Sequence, residues 1–157
     1  MKTGSRRKGR ELALSILFAG DIGGQSLEKV MEVIDCLLSV LVEQWELGTE
    51  EKERLLPDIR QFGIRLAEAY DEYARVIDEQ IENFSHEWAL DRMPGIDRNI
   101  LRLAIAELIH MPEVPVGATI NEAVELAKIY GTEESGKFVN GILGALVRSE
   151  QIPVKLS

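Results

Sequence analysis

Five cations and no acid stand among the first ten residues: Lys2, Arg6, Arg7, Lys8 and Arg10. The rest of the 157-residue chain carries 13 basic and all 27 acidic residues, a net of −14 behind a cationic start. The formal charge of −9 excludes a general nucleic-acid binder. A field divided this sharply can still hold a polyanion at one place and repel it elsewhere. Phosphate is the chemistry the start suits, because a guanidinium donates two parallel hydrogen bonds and stays charged at any ordinary pH. If four or five phosphates of one strand are neutralised, log affinity should fall against log salt with a slope near ~3, at about 0.7 per contact. A solvated, frayed terminus that aids solubility is the other reading of the same run.

A second group lies near the other end. Phe138, Val139, Ile142, Leu143 and Leu146 recur at helical spacing as a buried stripe, and Lys137, Asn140, Gly141, Gly144 and Arg148 gather on the opposite side. Glycine inside a helix costs about 1 kcal/mol against alanine, and core packing does not require Gly141 or Gly144 on that side. Either a ligand approaches the backbone there or another helix of the chain crosses it.

Catalytic groupings are missing from the pattern. His86 and His110 stand alone, without cysteine partners or zinc-site spacing, and no glycine-rich phosphate loop follows a strand. Glu133 and Glu134 suit the start of a helix better than acid-base work. No enzyme activity, metal or cofactor is expected.

The elements that hold these residues read as helices. The cationic run leads into LALSILFA, where Ser15 alone is polar between Leu12 and Ala19, a central buried helix closed by Gly20 to Gly24. Ser26 can cap a second helix running to about Leu47, with the stripe Leu27, Val30, Met31, Ile34, Leu37, Leu38 and Leu41 finished by Trp45. Cys36 is read as a buried thiol of that stripe, with no internal disulfide available to it. A long amphipathic helix follows, its face marked by Ile59, Phe62, Leu66 and Ala69 between Pro57 and about Tyr70. Tyr73, Ile77, Ile81 and Phe84 mark another before Trp88 and the Met93-Pro94-Gly95 turn.

Three closely spaced helices complete the pattern. Ile100, Leu101, Ala104, Ile105 and Leu108 form the stripe of the first, with Asp97 in its first turn and Pro112 and Pro115 beyond its end. Thr119 and Glu122 stand at capping-box spacing for the second, with Gly131 as a left-handed C-terminal cap. Thr132 is the N-cap of the third. No alternating strand pattern appears. The expected fold is all-α, a compact bundle of about seven helices in two small subdomains, about 1–72 and 73–150. At 45% hydrophobic and 29% charged residues, the chain is long enough to bury a core. No apolar run reaches the roughly 18 residues that cross a bilayer, and no signal-peptide core opens the chain. A cytoplasmic location away from any membrane is the expectation.

WALDR, then IDRNILRLAIAEL, then VPVGATINEAVELAKIYGTEESGKFVNGIL, in that order, resemble the NusB family of bacterial transcription antitermination factors, and the likeness covers roughly residues 6 to 146. The resemblance implies a partner, the ribosomal small-subunit protein NusE, and a ligand, the single-stranded boxA element of nascent RNA. Held together within an RNA polymerase antitermination complex, these keep the polymerase processive on ribosomal RNA operons. By position, Arg6, Arg7, Lys8 and Arg10 match the family's RNA-binding start, and Lys137, Phe138 and Asn140 match its KFVN motif. The cations would grip phosphates, Asn140 would bond a base or sugar, and Phe138 would either face an unstacked base or pack in the core. Asp97 falls where the family often carries an acid facing basic NusE, and Glu134 near the RNA edge, where an acid tunes affinity. Phe18 replaces a common tyrosine, which leaves only apolar packing for a partner contact there. Lys8 and Gly9 replace the more common Arg-Ala. Two other readings stay open: the NusB-like RNA-binding module of a ribosomal RNA methyltransferase, and a helical scaffold that binds only protein. Self-association as a homodimer is also open.

Overall fold

The computed structural model describes residues 4–86 and 88–149, so Lys2 lies outside the described residues. Among the described residues there are eight α-helices, one short 3-10 turn and no strand. The helices are α1 (Ser5–Gly23), α2 (Leu27–Met31), α3 (Ile34–Trp45), α4 (Thr49–Glu72), α5 (Ala74–Phe84), α6 (Gly95–His110), α7 (Val116–Tyr130) and α8 (Glu133–Ser149), with the 3-10 turn at Leu90–Arg92. The chain divides into two compact units between Glu68 and Ala69, within α4. No described helix is long and apolar enough to cross a membrane.

In the first unit α1 is the buried element, with Leu12, Ala13, Leu14, Ile16 and Leu17 all in the interior. It ends as its glycines require: Gly24 sits at φ 62°, a left-handed cap whose N–H bonds Asp21 and Gly20 carbonyls. Helix α4 crosses α1 at two glycines. A Cβ at Gly9 would lie 2.7 Å from Phe62 Cδ1, and one at Gly63 would lie 2.9 Å from the Gly9 carbonyl oxygen. The crossing therefore admits no side chain at either position without a shift of its neighbours, which accounts for Gly9 and Gly63 in this chain.

Three expectations for this unit are corrected. The helix expected from Ser26 to Leu47 is two helices, because Glu32 and Val33 turn back with i→i−3 bonds to Lys29 and Val30 and Val33 adopts φ −114°, ψ 17°. Cys36 is exposed. It sits with Val33 and Val40 on the outer side of α3, while Ile34, Leu38 and Leu41 face inward. Helix α4 starts two turns before Pro57 and runs through it. A proline in that place removes one backbone bond and costs about 3 kcal/mol, offset by the burial of Leu55, Ile59, Phe62 and Leu66.

The second unit is built around α6, which packs against α5, α7 and α8. Its expected stripe is fully buried, and Leu103 and Ala106 on other sides are buried too. Thr119 is not an N-cap. Helix α7 opens one turn earlier, behind Pro115, and Thr119 is buried with its hydroxyl donated to the Glu107 carboxylate of α6. Gly131 caps α7 but at φ −108°, so its backbone is not left-handed. Glycine is needed for space, since a Cβ would lie 2.5 Å from Ser135 Oγ and 2.8 Å from the Ala127 carbonyl oxygen.

Gly9→Ala should lose about 1–3 kcal/mol of unfolding free energy in urea, the usual cost of forcing a methyl into a filled crossing. Adding Phe62→Leu to that variant should recover part of the loss, and equal stability of Gly9→Ala and the parent would contradict the crossing geometry.

Candidate nucleic-acid interface

The cationic run is helical from the start. Gly4, at φ 89°, turns the chain into α1, so Arg6, Arg7, Lys8 and Arg10 occupy its first two turns, with no acid in the first. Cations at the positive end of a helix dipole oppose folding, each by about 0.3–1 kcal/mol. Helix stability therefore does not account for their placement.

The four cations do not share one environment. Arg7 is exposed, and Arg6 and Lys8 are half-buried. Arg10 is 4% exposed and its guanidinium lies 5.4 Å from the centre of the Phe62 ring. Arg10 is thus the least accessible of the four, its guanidinium set as a cation on an aromatic face. Lys8 Nζ stands 5.9 Å from the Trp45 ring centre, and the Trp45 indole N–H donates to Glu11 Oε2 at 2.8 Å. Phe18 is half-buried on the same helix.

In the second unit, α7 ends and α8 begins across the single residue pair Gly131 and Thr132. Thr132 and Ser135 cap each other: Ser135 N–H donates to Thr132 Oγ1 at 3.3 Å, and Thr132 N–H donates to Ser135 Oγ at 3.0 Å. Ser135 also hydrogen-bonds the Asp97 carboxyl on the first turn of α6. The starts of α6 and α8 thus meet at one buried acid and enclose a cleft of about 650 Å³. Its walls are Trp88, Pro94, Ile96, Tyr130 and Phe138, and Glu134 and Lys137 also line it.

Asp97 is 2% exposed and its Oδ1 has no hydrogen-bond partner among the described residues. Burial pushes its pKa up from the ordinary carboxylate range, and the Ser135 hydrogen bond offsets part of that rise. The acid expected on a partner-facing surface therefore lies in the wall of a cleft. Phe138 is half-buried, its ring 5.1 Å from Trp88 in an edge-on arrangement, so it serves the cleft and the packing together. Lys137 and Asn140 are exposed on α8, with Lys137 Nζ 3.8 Å from Glu134 Oε1 in a solvent-exposed pair. Gly141 is exposed, and no described atom lies within 4 Å of where its Cβ would be. The crossing helix offered by the sequence as an explanation for that glycine is not there among the described residues.

Trp88, Tyr130 and Ser135 were not singled out by sequence as site residues, and neither was Trp45. The Thr132-x-x-Ser135 spacing was the available signal for Ser135, since a hydroxyl at N3 can replace the usual Glu of a capping box. No three His, Cys, Asp or Glu side chains gather to hold a metal among the described residues.

A carboxyl whose folded pKa lies above its unfolded one binds its proton more tightly when folded. Its contribution to stability is full below the unfolded pKa and falls as the pH rises through the folded value. Asp97→Asn removes that dependence and keeps an acceptor for Ser135. The variant should gain stability relative to the parent between pH 4 and pH 7, read as the difference in thermal midpoints; a constant difference would count against the raised pKa.

The comparisons with known proteins bear on the whole chain. It matches the model of the NusB family over residues 7–148. The transcription antitermination protein NusB of Desulfitobacterium hafniense (strain DSM 10664 / DCB-2) is 41% identical over 145 residues, covering 92% of this chain and 89% of that one. The protein of the same description from Myxococcus xanthus (strain DK1622) is 41% identical over 140 residues, covering 89% and 92%. Among solved structures, T. maritima NusB superposes with a TM-score of 0.72 at 34% identity, covering 94% of this chain and 93% of that one. A structure of the antitermination factors NusB and NusE in complex with double-stranded RNA gives a TM-score of 0.72 at 27% identity, covering 94% and 99%. Matched along nearly all of its described length in both sequence and fold, the chain belongs to the NusB family.

Proposed function

We propose that this protein is a transcription antitermination factor that binds boxA-type single-stranded RNA together with NusE and keeps RNA polymerase processive on ribosomal RNA operons. The observation that carries the reading is the cationic start of α1, set against its own helix dipole in a chain of net charge −9. Such an arrangement has a use where a polyanion is held at one place. The family relatives described above support the same reading. Binding, not catalysis, is the activity, exercised in the cytoplasm where transcripts are made.

Arg6, Arg7 and Lys8 grip phosphates and fix the register of the strand. Lys137 adds a charge from α8, Asn140 bonds a base or sugar, and Phe138 presents its ring edge beside Trp88 to an unstacked base. Glu134, which pairs with Lys137 across 3.8 Å, lowers the charge available to RNA and sets the affinity. NusE is basic in this reading and meets the second unit at the cleft whose wall holds Asp97, with Phe18 giving apolar contact only.

Fluorescence anisotropy with a labelled boxA-like strand and a scrambled control, with and without NusE, tests the reading. Tighter binding to boxA that NusE enhances is expected. With Arg10 the least accessible cation, the three others of α1 and Lys137 give a salt slope of about 2 to 3, at roughly 0.7 per phosphate. Arg7→Gln should lower the slope by about 0.7, whereas Arg10→Gln should leave the slope and lower thermal stability. Equal, weak binding to both strands in the presence of NusE would overturn the proposal.

Gly141→Ala separates ligand contact from packing. The change should stabilise α8 by up to about 1 kcal/mol, because the added methyl meets only solvent. If the strand rests on that backbone, RNA affinity should fall in the same variant. A more stable protein with unaltered affinity would place the strand elsewhere.

A further inference from the structure

We infer that Trp45 is a stacking platform for one base of the strand held by α1, and that Lys8 covers it until RNA arrives. The inference rests on the RNA-binding reading above and extends it to a residue that reading does not use. Trp45 is the last residue of α3, and Glu46 ends the helix there in a left-handed turn at φ 52°. The indole is consequently set beside the first turns of α1, half-buried. Its N–H is held by Glu11 Oε2 at 2.8 Å, which fixes the plane of the ring. Lys8 Nζ lies over the ring, 5.9 Å from its centre.

A tryptophan that only filled a gap between two helices would not need its face under a mobile ammonium at the mouth of a phosphate site. The contact between Lys8 and the indole is a cation on a quadrupole, weaker than the attraction between an ammonium and a full phosphate charge. A phosphate entering between Arg7 and Lys8 therefore draws the ammonium away and uncovers the ring. Any base has a π-face, so the exposed indole takes the adjoining nucleobase with little regard to sequence. Glu11 contributes in two ways. It orients the ring, and as the first acid behind the cations it keeps phosphates on the Arg6, Arg7 and Lys8 side while leaving Trp45 to a base.

Trp45→Phe, Trp45→Leu and Lys8→Gln in the full chain, with the labelled boxA-like strand across a salt series, test the assignment. Trp45→Leu should bind about tenfold more weakly or worse with an unchanged salt slope, the loss expected for one stacked base. Trp45→Phe keeps a stacking face and should stay within about threefold of the parent, while Lys8→Gln should lower the slope by about 0.7. Tryptophan emission supplies a second readout, because the chain has only two tryptophans. The quenching on RNA saturation that is present in the parent and missing in Trp45→Phe belongs to Trp45, and it needs no variant that risks the fold. Unchanged affinity in Trp45→Leu, equal losses in Trp45→Phe and Trp45→Leu, or no quenching assignable to Trp45 would each overturn the inference. Failure of the parent to bind the strand would overturn the RNA-binding reading itself, a different result from normal binding by the parent and Trp45→Leu alike.

Discussion

Helix α6 is enclosed by its neighbours, and every polar group it carries must find a partner inside the second unit. That requirement shapes most of the unit. Arg98 donates from Nη1 to the Leu90 and Met93 carbonyls, both at 3.0 Å, and pins the turn before the helix. Arg102 forms a two-pronged pair with Asp78 of α5 at 2.9 and 3.1 Å, and Tyr70 donates to the same carboxylate at 3.0 Å. Glu107 takes the Thr119 hydroxyl of α7. Each neighbour is thus keyed to α6 by a side chain that would be costly to bury alone.

Among the described residues, two atoms of the helix leave this accounting open, His110 Nε2 at its end and Asp97 Oδ1 at its start. Ser135 satisfies part of the Asp97 carboxyl and so links the start of α6 to the cap of α8, but Oδ1 is left without a partner at the cleft. The same serine completes the cap with Thr132, and the cap in turn excludes any side chain from Gly131. The candidate partner acid, the start of α8 and the exposed Lys137 and Asn140 are therefore positioned by one chain of contacts rather than independently. In the first unit the comparable device is the glycine crossing of α1 and α4, which sets the helix that presents Arg6, Arg7 and Lys8.

Much of this was legible in the sequence where the signal was periodic. The stripes of α6 and α8, the glycine end of α1 and the Thr132 cap follow from spacing and residue type alone. Arg10 was legible too, had the stripe been followed backward: it stands three and four residues before Ala13 and Leu14, both buried. Val33, Cys36 and Val40 recur among themselves at three and four, as Ile34, Leu38 and Leu41 do at four and three, which sets the two groups on different faces. The break at Glu32 and Val33 carries no proline or glycine, so local chemistry gives no warning of it. Helix α4 hides its start in the opposite way, because Pro57 looks like a beginning and tertiary burial overrides it. The cleft was out of reach, since it joins the starts of two helices about forty residues apart, and only tertiary packing brings Trp88 beside Phe138.

The placement of Cys36 has a practical bearing on assembly. A lone thiol on an outer helical face cannot close a loop within its own chain, so air oxidation has one protein outlet, a disulfide to a second copy. Such a species would run as a dimer on a sizing column without any complementary surface between the copies. Whether this protein pairs with itself is therefore a question to be asked in the presence of a reductant, and the same thiol offers a ready attachment point for a maleimide probe on an otherwise cysteine-free surface.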